Sequence, residues 1–217
     1  MDRQDEVLRN ILRRQRMLPI MTIQSVESAL KIAEALLAGG LATMEITLRT
    51  PEAVAAIRAI RDRFPEMVVG AGTLLRPEDF ERAAAAGAEF AVSPGMDRPL
   101  AETAVRSPLP FLPGVQTASE VMAALGYGLK TLKFYPARAA GGALVLADFA
   151  NIFADVMFVP TGKLTQADVP EYLTVKNVLC IGGSWVTPQD RIAAQDWKAI
   201  TLLARQAAQL GGGRERA

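Results

Sequence analysis

The segment TMEITLRTPEAVAAIRAIRDRFPEMVVGAGT, residues 43–73, carries two short apolar runs, TMEITL (43–48) and MVVGAGT (67–73), around one helical pattern, PEAVAAIRAIRDRF (51–64). Thr50 followed by Pro51 reads as a helix start, a hydroxyl cap with proline at the first helical position. A strand, a helix and a second strand in this order form a parallel pair. The same rhythm extends in both directions: LPIMTI (18–23), FAVSPG (90–95), PFLPGV (110–115), TLKFYP (131–136), MFVPTG (157–162) and VLCIGG (178–183) are the other runs, each followed by a helical pattern. Ser25 and Ser28 stand before one helix, Thr117-x-x-Glu120 reads as a capping box, and Gly39, Gly87 and Gly126 as stops. The helix after the seventh run is the weakest, because Pro170 interrupts a short pattern, and a last helical stretch covers 188–209.

Eight strand-then-helix units predict an α/β fold, a single-domain (β/α)8 TIM barrel over residues 18–209. An open doubly wound sheet is the alternative, against which stands the absence of G-x-G-x-x-G after the first run. Residues 1–17 read as an extra N-terminal helix, with Val7, Leu8, Ile11 and Leu12 on a face that packs on the barrel and Arg9, Arg13 and Arg16 on a solvated basic face. Residues 210–217, ending GGGRERA, read as a flexible tail.

Composition narrows the chemistry. Half of the 217 residues are hydrophobic and 22% are charged, as in ordered globular chains. Lys plus Arg number 24 against 23 for Asp plus Glu, so no basic excess points to nucleic acid or to an acidic membrane. There is no histidine, which excludes His-based triads, His general bases and His metal ligands. The single cysteine, Cys180, excludes an internal disulfide and lies mid-run among apolar residues, as an inert core thiol would. No run reaches the roughly 18 apolar residues of a membrane span, and the N-terminus lacks a signal-like apolar region, so the cytoplasm is the expected compartment.

Polar residues collect where the runs end, the catalytic end of such barrels. They are Glu45 and Arg49, Thr73, Ser93-Pro94-Gly95, Lys133, Thr161-Gly162 and Gly182-Gly183-Ser184. In TLKFYP, strand alternation sets Lys133 opposite Leu132 and Phe134. If those two pack under helices, Lys133 points inward, where an ammonium is costly unless paired or neutralised. A neutral amine there is a nucleophile toward carbonyls and forms Schiff bases. The other reading is a structural lysine paired with Glu45. Glu45 shares an interior face with Thr43 and Thr47, and is either a proton-transferring carboxylate or half of that salt bridge. Arg49 can hold a carboxylate in two hydrogen bonds or lie on the surface. GAGT (70–73) and IGGS (181–184) are small-residue strand ends that allow tight turns, and the Gly-rich ends after the seventh and eighth runs can instead present backbone N–H groups to phosphate.

Taken together, MEITLRT, GAGTL, FAVSPG, PFLPG, LKFYPA, FVPTG and CIGGSW, in this order and spacing, resemble the class I 2-keto-3-deoxy-6-phosphogluconate (KDPG) aldolases, also described as 4-hydroxy-2-oxoglutarate (KHG) aldolases, over about residues 10–205. The resemblance implies a (β/α)8 homotrimer that needs no metal or other cofactor. It makes Lys133 the Schiff-base lysine and Glu45 the proton-transferring carboxylate. It makes Arg49 and Thr73 the clamp on the pyruvoyl carboxylate, with Pro94 lining the pocket. Thr161 and the backbone of Gly162 would meet the distal hydroxyls, and Ser184 with Gly182 and Gly183 the phosphate. The family typically reads PTGG and FPAE where this chain has PTGK and YPAR, so Lys163, Tyr135 and Arg138 are departures at the distal substrate end. The implied reaction is reversible cleavage of 2-dehydro-3-deoxy-6-phosphogluconate to pyruvate and D-glyceraldehyde 3-phosphate. The alternatives are cleavage of 4-hydroxy-2-oxoglutarate or another pyruvate aldol adduct, a phosphosugar isomerase without an imine, and an inactive barrel. The expected partner is a small 2-oxo acid, not nucleic acid or membrane.

Overall fold

The protein's structure is a computed structural model that describes residues 2–211. Its strands are β1 Met17–Met21, β2 Thr43–Thr47, β3 Val68–Gly72, β4 Phe90–Val92, β5 Phe111–Leu112, β6 Gly114–Val115, β7 Thr131–Phe134, β8 Met157–Pro160 and β9 Ile181–Gly183. The helices are α1 Asp2–Arg13, α2 Val26–Ala38, α3 Ala53–Arg63, α4 Glu78–Ala85, α5 Arg98–Arg106, α6 Ala118–Gly126, α7 Gly142–Ile152, α8 Val169–Thr174, α9 Gln189–Ala193 and α10 Trp197–Gly211. The fold is α/β, with all strand pairs parallel and arranged in two curled sheets, β5-β4-β3-β2-β1-β9 and β6-β7-β8. Two isolated parallel bridges, Phe158 to Val178 and Thr161 to Gly182, join β8 to the run that holds β9.

The run PFLPGV does not form one strand. Pro113 has no N–H to give to a ladder. The chain therefore pairs with β4 through Phe111 and Leu112, and with β7 through Gly114 and Val115. Strands β2, β3 and β7 are buried at every residue. Both faces of a parallel sheet are covered, so the polar residues of these strands, Thr43, Glu45, Thr47, Thr131 and Lys133, are buried along with the apolar ones.

Several local expectations resolve differently. Ser25 caps α2 through Ser28 N, and Thr117 and Glu120 form the complete capping box of α6. Thr50 does not cap α3. Its hydroxyl donates to Ile23 O at 2.6 Å, and the helix begins at Ala53 after Glu52. Pro170 does not break α8 but sits in its first turn, where a missing N–H costs nothing. The stretch 188–209 splits into α9 and α10 at Gln195, whose φ is +53°. Helix α10 runs on to Gly211, and the rest of the expected tail lies outside the described residues. No helix among the described residues is long and apolar enough to cross a membrane.

Helix α1 lies at the N-terminal ends of the strands. Leu8 and Leu12, each 1% exposed, and Ile11 pack with Leu18, Val68, Phe90, Val92, Leu112, Val159, Leu179 and Cys180. Val7 stays outside this contact. The basic residues are not simply solvated. Arg9 Nε donates to Thr131 Oγ1 at 2.9 Å and pairs with Asp5, and Arg16 Nη2 donates to Val178 O at 3.2 Å. Burial pushes the Cys180 thiol up to about 12, so no reactive thiolate forms there. Leu12→Ala removes a fully enclosed side chain and is expected to cost about 2–5 kcal/mol. The check is the denaturant midpoint.

Candidate active site

The alternation of β7 buries Leu132 and Phe134 against the helical layer. Phe134 meets Phe149 of α7 edge-on at 6.2 Å, and both Leu132 and Phe134 are 0% exposed. Lys133 therefore turns to the interior, where it is 6% exposed. On β2, Met44 and Ile46 pack outward in the main core, and Glu45, 1% exposed, turns inward. The two side chains meet across the interior with Lys133 Nζ 3.4 Å from Glu45 Oε1. Charge-assisted bonds close to about 2.7–2.9 Å, so this contact is loose. The second carboxylate oxygen, Oε2, is buried without a hydrogen-bond partner. An orphaned acceptor at this depth is costly unless another group can reach it.

Room for the carboxylate comes from β3. A Cβ added at Gly72 would lie 2.1 Å from Glu45 Oε1. GAGT is therefore a glycine seat for Glu45, a role that the spacing of MEITL and GAGT on adjacent parallel strands could have revealed.

Above the pair opens a cavity of about 610 Å³. Of the expected residues, Arg49, Thr161, Gly162, Lys163, Gly183 and Ser184 line it, together with Tyr135 and Arg138. Lys133, Glu45, Thr73, Pro94 and Gly182 are not on its wall. Lys133 and Glu45 lie one strand layer lower, two residues before Tyr135 and Thr47, which do line it. Lys133 Nζ is 5.6 Å from the centre of the Tyr135 ring. Thr73, in a left-handed conformation with φ +62°, accepts a hydrogen bond from Arg49 Nε at 3.2 Å. Gly182 bridges to Thr161, and a Cβ there would strike Thr161 Oγ1 at 2.3 Å. Pro94 packs its backbone on Gly114, where a Cβ would lie 2.1 Å from the Pro94 carbonyl oxygen. Sequence reasoning missed Ile20, Met21, Thr22 and Gln189, which also line the cavity. For Thr22 there was a signal, a polar residue fifth in the run LPIMTI as Thr47 is fifth in TMEITL.

The charged side chains on the cavity wall are Arg49, Arg138 and Lys163, with no carboxylate among them. Such a wall favours an anionic guest. Arg138 reaches across to Asp168 at 2.5 Å. The Asp168 carboxyl is held below its ordinary range, first by the Thr165 backbone N–H, then by the Thr165 hydroxyl and Arg138. This contact ties the β7–α7 loop to the loop after β8. Lys163 follows Gly162 (φ +119°) and is itself left-handed, with φ +54°. A residue with a Cβ pays about 1–2 kcal/mol for that conformation. Among the described residues, no group of three or more His, Cys, Asp or Glu side chains is arranged to hold a metal ion.

This arrangement has known counterparts. The family model described as "Aldolase: KDPG and KHG aldolase" matches residues 8–203. The KHG/KDPG aldolase of Escherichia coli (strain K12) is 47% identical over 189 residues, covering 87% of this chain and 89% of that protein. A crystal structure of KDPG aldolase from Legionella pneumophila, with pyruvate captured as a covalent carbinolamine, matches with a TM-score of 0.90 and 40% identity over 92% of this chain and 97% of that one. The KDPG aldolase of Zymomonas mobilis ZM4 with 3-phosphoglycerate matches at 0.87 and 42%, over 92% and 93%. With a matching model over most of its length and relatives this close, the chain belongs to the KDPG and KHG aldolase family.

Proposed function

We propose that this protein is a pyruvate-dependent class I aldolase, a lyase that reversibly cleaves 2-dehydro-3-deoxy-6-phosphogluconate to pyruvate and D-glyceraldehyde 3-phosphate. The observation that carries this reading is the loose interior contact of Lys133 and Glu45 beneath a cationic cavity. The amine of Lys133 attacks the C2 carbonyl to form a carbinolamine, and loss of water gives an iminium. Glu45, directly or through a water, takes the C4 hydroxyl proton. The C3–C4 bond breaks, its electron pair moves toward the iminium nitrogen, and the aldehyde leaves. Protonation of the enamine at C3 and hydrolysis of the resulting iminium release pyruvate and return the free amine. The covalent carbinolamine of pyruvate in the Legionella relative supports the first of these steps.

In the same proposal Arg49, fixed by Thr73, holds the substrate carboxylate, and Pro94 lines the inner pocket. Thr161 and Gly162 meet the hydroxyls of the leaving half, and Gly182, Gly183 and Ser184 meet its phosphate. The bridges from β8 to the β9 run, and the two-way pairing of residues 111–115, support closure of the two sheets into one (β/α)8 barrel over 18–209, with 1–17 packed on it. A homotrimer in the cytoplasm, needing no metal or other cofactor, completes the reading. Metal independence is checked by assay after chelation.

The deciding experiment is reduction with borohydride in the presence of pyruvate, followed by peptide mass mapping. One pyruvyl-derived adduct is expected on Lys133; no adduct, or one elsewhere, defeats the proposal. The departure at Lys163 supports testing KHG as a second substrate, by comparing kcat/KM on it and on KDPG. Lys163→Gly is expected to change KM for the phosphorylated substrate more than for the unphosphorylated one. Equal changes would remove Lys163 from the phosphate end.

A further inference from the structure

Two hydroxyls on the cavity wall form a chain whose protons can be assigned. Thr47 Oγ1 lies 3.2 Å from Met21 O, and Thr22 Oγ1 lies 2.9 Å from Thr47 Oγ1. A carbonyl oxygen only accepts, so the single hydroxyl proton of Thr47 goes to Met21 O. The contact between the two threonines must then be donated by Thr22. With its own proton committed, Thr22 Oγ1 retains only lone pairs for a guest. It is half-buried and lines the cavity. An acceptor held in this state binds a hydroxyl and repels a carboxylate or phosphate oxygen.

The location is equally specific. Strand β1 pairs with β2 in the register Ile20 to Glu45 and Met21 to Ile46, so Thr22 follows opposite Thr47. Both stand about 6–7 Å above Glu45 along the strand direction. On the aldolase reading, that is outward from the bond-breaking layer and next to β9, whose Gly182 and Gly183 are assigned with Ser184 to the phosphate of the leaving aldehyde. Thr161 lies on a different wall, just after β8 and bridged to Gly182 of β9, and β9 stands between it and β1.

We infer that Thr22 is a specificity-determining residue that accepts a hydrogen bond from the hydroxyl beside the aldehyde carbon, the C5 hydroxyl of KDPG, with Thr47 as the positioning residue that fixes its proton. The inference rests on the aldolase reading above. It deepens that reading by assigning a preference for α-hydroxylated aldehydes to one side chain.

The test uses pyruvate addition to D-glyceraldehyde 3-phosphate and to 3-oxopropyl phosphate, which keeps the phosphate and lacks that hydroxyl. Thr22→Val preserves shape and removes the acceptor. It is expected to lower kcat/KM for glyceraldehyde 3-phosphate about three- to tenfold, the worth of one neutral hydrogen bond, and to leave 3-oxopropyl phosphate unchanged. Thr22→Ser should restore the preference. Borohydride trapping of pyruvate should be the same in all three proteins. An equal loss on both aldehydes, no loss on either, or failure of Ser to restore the preference would overturn the role of Thr22 while trapping on Lys133 kept the aldolase reading intact. Absence of trapping in the unaltered protein would remove both.

Discussion

Replacement of Lys133 by Met is expected to abolish borohydride trapping with pyruvate and to lower turnover by about 10⁴-fold or more, the scale on which loss of a covalent nucleophile is felt. Methionine is close to lysine in length and fits the interior site on the face opposite Leu132 and Phe134, but it leaves Glu45 without a cation. Removing one partner of a buried pair costs about 3–5 kcal/mol. Stability must therefore be read alongside activity. The double change Lys133→Met with Glu45→Gln removes both charges and is expected to recover much of the lost stability, with no recovery of activity. Lys133→Arg keeps a cation but cannot form an imine, so it too should be inactive. An arginine variant that turns over would show that the amine acts only as a charge.

Glu45→Gln separates the two halves of the chemistry. The amine remains, so pyruvate should still be trapped. Proton removal from the C4 hydroxyl loses its acceptor, and cleavage should slow by about 10²–10⁴-fold. The amide also fills the space that Gly72 leaves open, so the pocket shape is kept. Normal turnover would reduce Glu45 to a structural partner of Lys133. Loss of trapping together with turnover would instead mean that the carboxylate is needed to form the imine.

The inward direction of Lys133 and Glu45 was legible because strand periodicity is local. Two apolar neighbours on either side of a charged residue decide which face it takes, and burial of Leu132 and Phe134 follows that rule. The parallel order of strands and, apart from Val7, the packing face of α1 were legible for the same reason, as recurring patterns within short windows. What was not legible depends on partners far along the chain. Thr50 carries a good cap residue type, yet Ile23 O takes its hydroxyl. Pro113 lies inside an apolar run, yet the run divides because its two ends face different strands. Gly72 looks like a turn residue, and only the β2–β3 register reveals that it clears space for Glu45. Gln189 belongs to no motif, and only the folding of distant segments together brings it to the cavity. Arg138 could be flagged as a departure, but its tether to Asp168 required both loops.

Helix α1 fills the end of the strands opposite the cavity with Leu8, Ile11 and Leu12. On the proposed chemistry, the keto acid bound to Lys133 occupies the bottom of a blind well and the aldehyde sits above it. Traffic is then last in, first out: the aldehyde must depart before pyruvate can be hydrolysed free, and in the synthetic direction pyruvate must enter before any acceptor. The covalent chemistry sets this order, and the leucine stopper at the far end of the molecule, which never meets a substrate, closes the opposite exit.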